Sequence, residues 1–277
     1  MTAGELGSAL APLRERYAHW LQLSPEQVLR DREEAAEDIR AMQLVLRMER
    51  QNPPSWHRAM AAAATGAAAV CLDRRGQPGG EWYDAVRDYC AGHIRKVTRR
   101  ARGAHWAAAQ DLPGVTVEVN GTQVRALVPG RATDLDPRIS RLQVGGTDVP
   151  PDDPPEDPGY PTGTALEIWP APEPIMTLGK AMAQAGHAGM IAAALSSETR
   201  ERPPSEAPAG PDALSRWVAA GLPVLVRRVS PEQFAGLVAR LADQGRAWRV
   251  DRLLAVRDAG FTEVAAGTVT VIARAPA

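Results

Sequence analysis

The chain has 277 residues, room for about two domains at ~150 residues each. Its hydrophobic fraction of 44% and charged fraction of 23% are those of a globular protein, and 32 basic against 33 acidic residues leave a net charge of −1, which argues against a chain coated in positive charge only to grip nucleic acid. No run approaches the ~18 apolar residues of a membrane span, and no basic, greasy N-terminus marks a secretory signal. Cys71 and Cys90 give neither a disulfide framework nor zinc spacing; they read as buried thiols in a reducing cytosol, so the expected location is cytoplasmic.

In chain order, residues 3–22 predict a helix, with Leu6, Leu10, Leu13, Tyr17 and Trp20 at three- and four-residue steps. Ser24-Pro25-Glu26-Gln27 is a capping box that opens a second helix to about Arg40. Residues 43–47 predict a strand, an Ala-rich helix follows from Ser55 to Leu72, and residues 82–108 predict another helix. Two β-rich runs, 115–119 and 122–128, flank Asn120-Gly121, a strong hairpin signal. Prolines crowd 145–163, and seven acidic residues without one basic residue lie between Gln143 and Gly179, so this stretch reads as a linker or surface loop.

The pattern then resumes. Residues 165–169 predict a strand, 178–195 a helix, 196–211 a disordered Ser/Glu/Pro stretch, 212–220 a short helix and 223–229 a strand. Ser230-Pro231-Glu232-Gln233 repeats the capping box and opens a helix that Gly245 ends, and strands at 253–257 and 268–273 close the chain. The two stretches share an order of elements, with Trp82 and Trp217 at matching places, which suggests a diverged tandem repeat; two unrelated α/β segments are the competing reading.

Only Lys96 and Lys180 among the basic residues are lysines, a bias that coding composition explains, yet one in which a lysine marks a place where an ammonium does what a guanidinium cannot. Lys180, Gln184 and His187 stand at i, i+4 and i+7 of the predicted helix and share a face. A cation in a first turn opposes the helix dipole, so Lys180 is not placed for helix stability; with Gly179 and the exposed N–H groups it suits an anion. Asp258 stands at the end of a buried strand, where a carboxylate needs a partner, and Thr262 and Thr270 add hydroxyls nearby.

Gly179-Lys180, Gln184 and His187-Ala188, taken with Asp258-Ala259-Gly260, Thr262, Ala265, Gly267-Thr268 and Thr270, resemble the paired motifs of the type 2 peptidyl-tRNA hydrolase family over about 164–277. Phe261 stands where the family carries Arg, Ala266 where it carries Pro, and Leu178 where it often has a second Lys. The resemblance implies hydrolysis of the ester between a peptide and tRNA without metal or organic cofactor. It implies catalytic roles for Lys180, Asp258, Thr262, Gln184 and Thr270, with His187 and Gly179 near the substrate. The first stretch lacks the Lys and Gln, but Arg95, Lys96, Arg99 and Arg100 crowd residues 93–102 and read either as a solvated helix face or as a patch that tracks tRNA phosphates. Family members act as homodimers, so a fused inactive copy implies a monomeric pseudo-dimer.

The expected architecture is therefore α/β: a mixed four-stranded sheet with flanking helices, repeated in tandem. The expected parts are an N-terminal helical segment (1–40), a degenerate half (41–130), a linker (131–163) and a hydrolase-like half (164–277). The competing functional readings are a non-catalytic tRNA- or protein-binding relative with a decayed site, and a small-molecule hydrolase on the same fold.

Overall fold

The computed structural model describes residues 6–28, 34–49, 51, 53–146, 149–156, 158–197, 212–258, 260 and 264–277. A 3-10 turn at Ser8–Leu10, which buries Leu10, leads into helix α1 (Ala11–Trp20), which buries Leu13. The Ser24 capping box forms, with Ser24 N–H donating to Gln27 Oε1 at 2.8 Å and Gln27 N–H to Ser24 Oγ at 3.4 Å. The helix it opens, α2 (Pro25–Val28), does not reach Arg40 as expected. Ala35 is extended, residues Ala36–Asp38 make a 3-10 turn, and Arg40 already belongs to strand β1 (Arg40–Arg47). Arg40 pairs with Arg131 on a later strand, so a partner distant in sequence takes this residue out of the helix.

Ser55 caps helix α3 (Trp56–Leu72) by accepting from Arg58 N–H at 3.2 Å. The single helix expected over 82–108 is instead three elements: α4 (Tyr83–Ala91), strand β2 (Arg95–Ala101) and α5 (Gly103–Gln110). Gly92 ends α4 in an extended conformation, and β2 then lies parallel to β1, with Ala41 opposite Arg95 and Arg47 opposite Ala101. Pairing to a buried neighbour outweighs the helical look of a charged run, and it scatters the cations to alternate faces. Strands β3 (Gly114–Val119) and β4 (Thr122–Leu127) form the expected hairpin; Asn120 and Gly121 both take positive φ, 44° and 84°, as a two-residue turn of this hand requires. Strand β5 (Gly130–Arg131) pairs with β1, and a short helix α6 (Pro137–Ser140) follows.

The described part of the Pro-rich stretch has no helix or strand before residue 166, but it is fastened down. Asp152 Oδ1 lies 2.7 Å from His57 Nδ1 and accepts from His57 N–H at 3.2 Å, while Arg228 donates to the Asp152 carbonyl at 2.7 Å and to Asp153 Oδ1 at 3.4 Å. Beneath it, a cavity of about 490 Å³ lies between the hairpin turn, the start of α3 and residues 221–228.

The rest of the chain holds β6 (Leu166–Pro170), α7 (Leu178–Ser196), α8 (Ala213–Ala219), β7 (Val224–Val226), α9 (Pro231–Arg240), α10 (Gln244–Asp251), β8 (Leu253–Arg257) and β9 (Val269–Arg274). The expected disordered stretch lies, except for its first two residues, which end α7, outside the described residues. Gly245 does not end the helix opened at Ser230: α9 stops at Arg240, and Asp243 caps a new one by accepting from Arg246 N–H at 2.8 Å.

Both sheets have one plan. The first runs β2-β1-β4-β3 and the second β7-β6-β9-β8; in each, the first pair is parallel and the other two are antiparallel. The Ala-rich helices α3 and α7 pack against each other in the core. Helix α3 also touches β3, β4 and β7, and α7 touches β6, β8, β9 and β2, so each helix contacts the other unit's sheet. Close approach depends on glycine: a Cβ at Gly189 would lie 2.4 Å from the Ala64 carbonyl oxygen. A Gly189→Val substitution should therefore overpack this contact and cost about 1–3 kcal/mol. Thermal unfolding would show it as a lowered midpoint; an unchanged one would mean that the helices do not meet as described.

Candidate active site

The start of α7 is held from two sides. Thr177 caps it, its Oγ1 accepting from Lys180 N–H at 3.4 Å, and Thr98 Oγ1 on β2 donates to the Gly179 carbonyl at 2.9 Å. Lys180 thus leaves the first turn from a fixed backbone, with Gln184 and His187 following on its face. Opposite stands Asp258, just past the end of β8. Its N–H donates to the Thr268 carbonyl at 2.9 Å and its carbonyl accepts from Gly267 N–H at 2.7 Å. The turn is closed by Gly260, whose φ is +82° and whose missing Cβ would lie 2.8 Å from Ala266. Gly260 N–H donates to Asp258 Oδ1 at 2.8 Å.

These elements bring three of the expected side chains together. Lys180 Nζ forms an ion pair with Asp258 Oδ2, and Gln184 Nε2 donates to the same oxygen at 2.8 Å. The pair is mostly sheltered, with side-chain exposures of 13% for Lys180 and 4% for Asp258. The carboxylate accepts from an ammonium, an amide and a backbone N–H, so its charge is well matched despite burial. Gln184 Oε1, by contrast, is buried and has no hydrogen-bond partner among the described residues. It is the acceptor that the cluster leaves over.

Thr270 is buried and donates its hydroxyl to the Val256 carbonyl at 3.2 Å, next to the register shift between Val256 and Arg257. In this structure it fastens the strand that carries Asp258. Thr262 and Phe261 lie outside the described residues. His187 Nδ1 sits 3.5 Å from Lys96 Nζ; burial, then the charges of Lys96 and Lys180, hold its pKa well below the usual 6.5.

The basic segment is not a solvated helix face. On strand β2, Arg95 pairs with Glu34, Arg99 donates to Gln43 Oε1 and to the Leu142 carbonyl, both at 2.8 Å, and Arg100 donates to Gln143 Oε1. Of these, Arg99 is buried, Arg95 is partly buried and the Arg100 bond is exposed, and the partners of all three lie far away in sequence. Thr98 and Thr177 were not singled out by sequence reasoning; Thr177 stands three residues before Lys180, the spacing of an N-cap, whereas nothing local in the sequence announces that Thr98 reaches Gly179. Among the described residues, no group of three or more His, Cys, Asp or Glu side chains is placed to hold a metal ion, and no helix is long and apolar enough to cross a membrane.

The fold and the cluster define a mixed α/β domain with a lysine–carboxylate site between a helix start and a strand end. Residues 158–277 match the family model described as peptidyl-tRNA hydrolase PTH2. No curated protein and no solved structure matches the chain.

Removing one partner of a buried ion pair leaves the other charge uncompensated. Asp258→Asn should thus destabilise the fold by about 3 kcal/mol, read from the denaturant midpoint. A midpoint equal to that of the unaltered protein would mean that Lys180 does not depend on Asp258.

Proposed function

We propose that the C-terminal half hydrolyses the ester that joins a peptide to the terminal ribose of tRNA. The observation that carries the reading is the sheltered Lys180–Asp258–Gln184 cluster inside a domain matched by the hydrolase family model. In the reaction, water attacks the ester carbonyl, the carbon–ribose oxygen bond breaks, and the ribose hydroxyl leaves with a proton. Asp258 already accepts from three donors, the Lys180 ammonium among them, so we assign it to aiming that ammonium rather than to taking a proton from water. Lys180 stabilises the negative oxygen that develops at the carbonyl. Gln184, anchored through its amide N–H, offers the unpartnered Oε1 to orient the attacking water. Thr270 is proposed to hold the strand beneath the site, and the role of Thr262 rests on the motif alone.

We read residues 41–130 as a diverged copy of 164–277. The identical strand order and directions support this, as does the match between Arg58 and Lys180, each the third residue after a capping hydroxyl. Where Lys180 meets Asp258, the Arg58 guanidinium donates to the Asn120 carbonyl at 3.2 Å and has no carboxylate partner among the described residues. With its counterpart helices already packed inside one chain, the protein would act as a monomer.

Release of peptide from peptidyl-tRNA tests the reading. The unaltered protein should hydrolyse it, and Lys180→Ala should lower kcat by about 10²–10³, the scale of losing one group that stabilises an oxyanion. Binding of tRNA without release would instead favour a non-catalytic relative, and full activity in Lys180→Ala would remove the assigned role.

A further inference from the structure

Lys96 and Lys180, the only two lysines of the chain, lie along the same helix although they come from different halves. Lys96 reaches α7 from β2, and its stem crosses the helix at Gly186, where a Cβ would lie 2.8 Å from Lys96 Cδ. The ammonium donates to Tyr89 Oη at 3.3 Å and to the Ile94 carbonyl at 3.2 Å, and it lies 3.5 Å from His187 Nδ1. No carboxylate pairs with it among the described residues. The titratable groups around it are Cys71 on α3, Tyr89 and Cys90 on α4, and His187 on α7, with Lys180 acting on the same histidine. A guanidinium would bring five donors into a place that offers three neutral partners; an ammonium fits.

Burial without a counter-ion pushes the Lys96 amine down to about 7 from its ordinary 10.5. The folded value is the lower one, so the fold carries the full penalty below pH 7 and sheds it as the pH rises from there towards the unfolded value. A residue held at such a cost calls for a reason other than stability.

We propose that Lys96 is a positioning residue for the hydrolytic site, given by the N-terminal half: it donates to His187 Nδ1 and holds the imidazole with its proton on Nε2, on the face of α7 that carries Gln184 and Lys180. His187 is neutral at pH 7, so one ring nitrogen must be the acceptor, and the Lys96 contact selects Nδ1. Strand β2 thus touches the active-site helix twice, through Thr98 at Gly179 and through Lys96 at His187. The degenerate half is then a working part of the site. This inference rests on the hydrolase reading.

The test is Lys96→Met, which keeps the length of the side chain and removes its charge. The expected result has three parts: a raised melting midpoint, a His187 ring whose ¹⁵N shifts leave the Nε2–H pattern, and a kcat/KM on peptidyl-tRNA lowered about tenfold, the scale of one charge-assisted hydrogen bond. A raised midpoint with unchanged ¹⁵N shifts and unchanged kcat/KM would overturn the proposal. So would a lowered midpoint, which would make Lys96 a structural residue. If the unaltered protein released no peptide, the hydrolase reading would fail, while the midpoint and the ¹⁵N shifts would still decide whether Lys96 orders His187.

Discussion

The close contact between α3 and α7 is the constraint on which the rest of the structure depends. Both helices are rich in alanine, and Gly189 lets the backbone of α7 come down on the Ala64 carbonyl. Small side chains give little burial each, so such helices gain by approaching until main chains touch. That approach places each helix against the other unit's sheet. It brings β2 onto α7, and with β2 come Thr98 and Lys96. The start of α7, and therefore Lys180, is held in part by the half that does not carry the Lys180–Gln184–Asp258 cluster.

Around Lys180, electrostatics and backbone geometry work together. Asp258 sits past the last residue of β8, where the chain must turn, and Gly260 lets the turn close so that its N–H meets the carboxylate. Three donors on one buried carboxylate make it a fixed negative point, against which an ammonium can be aimed. The helix dipole opposes the cation at this position, so the ion pair also offsets an unfavourable placement. Among the described residues, Gln184 Oε1 in this cluster is left without a hydrogen-bond partner.

Much of this could be read from residues alone. The Lys180, Gln184 and Asp258 motifs named their own neighbourhood, because helical spacing and a strand-end carboxylate are local patterns. The Asn120-Gly121 turn and the Ser230 capping box were equally legible, since each is decided within four residues. What could not be read depends on distant partners. Residues 95–101 carry four cations and look like a helix surface, yet pairing with β1 makes them a strand, where Arg95 pairs with Glu34 while Arg99 and Arg100 donate to the neutral amides of Gln43 and Gln143. The run after Ser24 has a sound helix start, yet pairing with Arg131 puts Arg40 in strand β1. The place of Thr270 in the motif is visible in the sequence, whereas its bond to the Val256 carbonyl is not.

The central claim is that Lys180 and Asp258 act as one catalytic unit. The most direct measurement is kcat/KM for peptidyl-tRNA hydrolysis in Lys180→Ala, Asp258→Ala and the double variant, beside the unaltered protein. Groups that act as a unit are strongly non-additive, so the double variant should be no slower than the slower single one. Effects that multiply, or a single variant with the full rate, would contradict it.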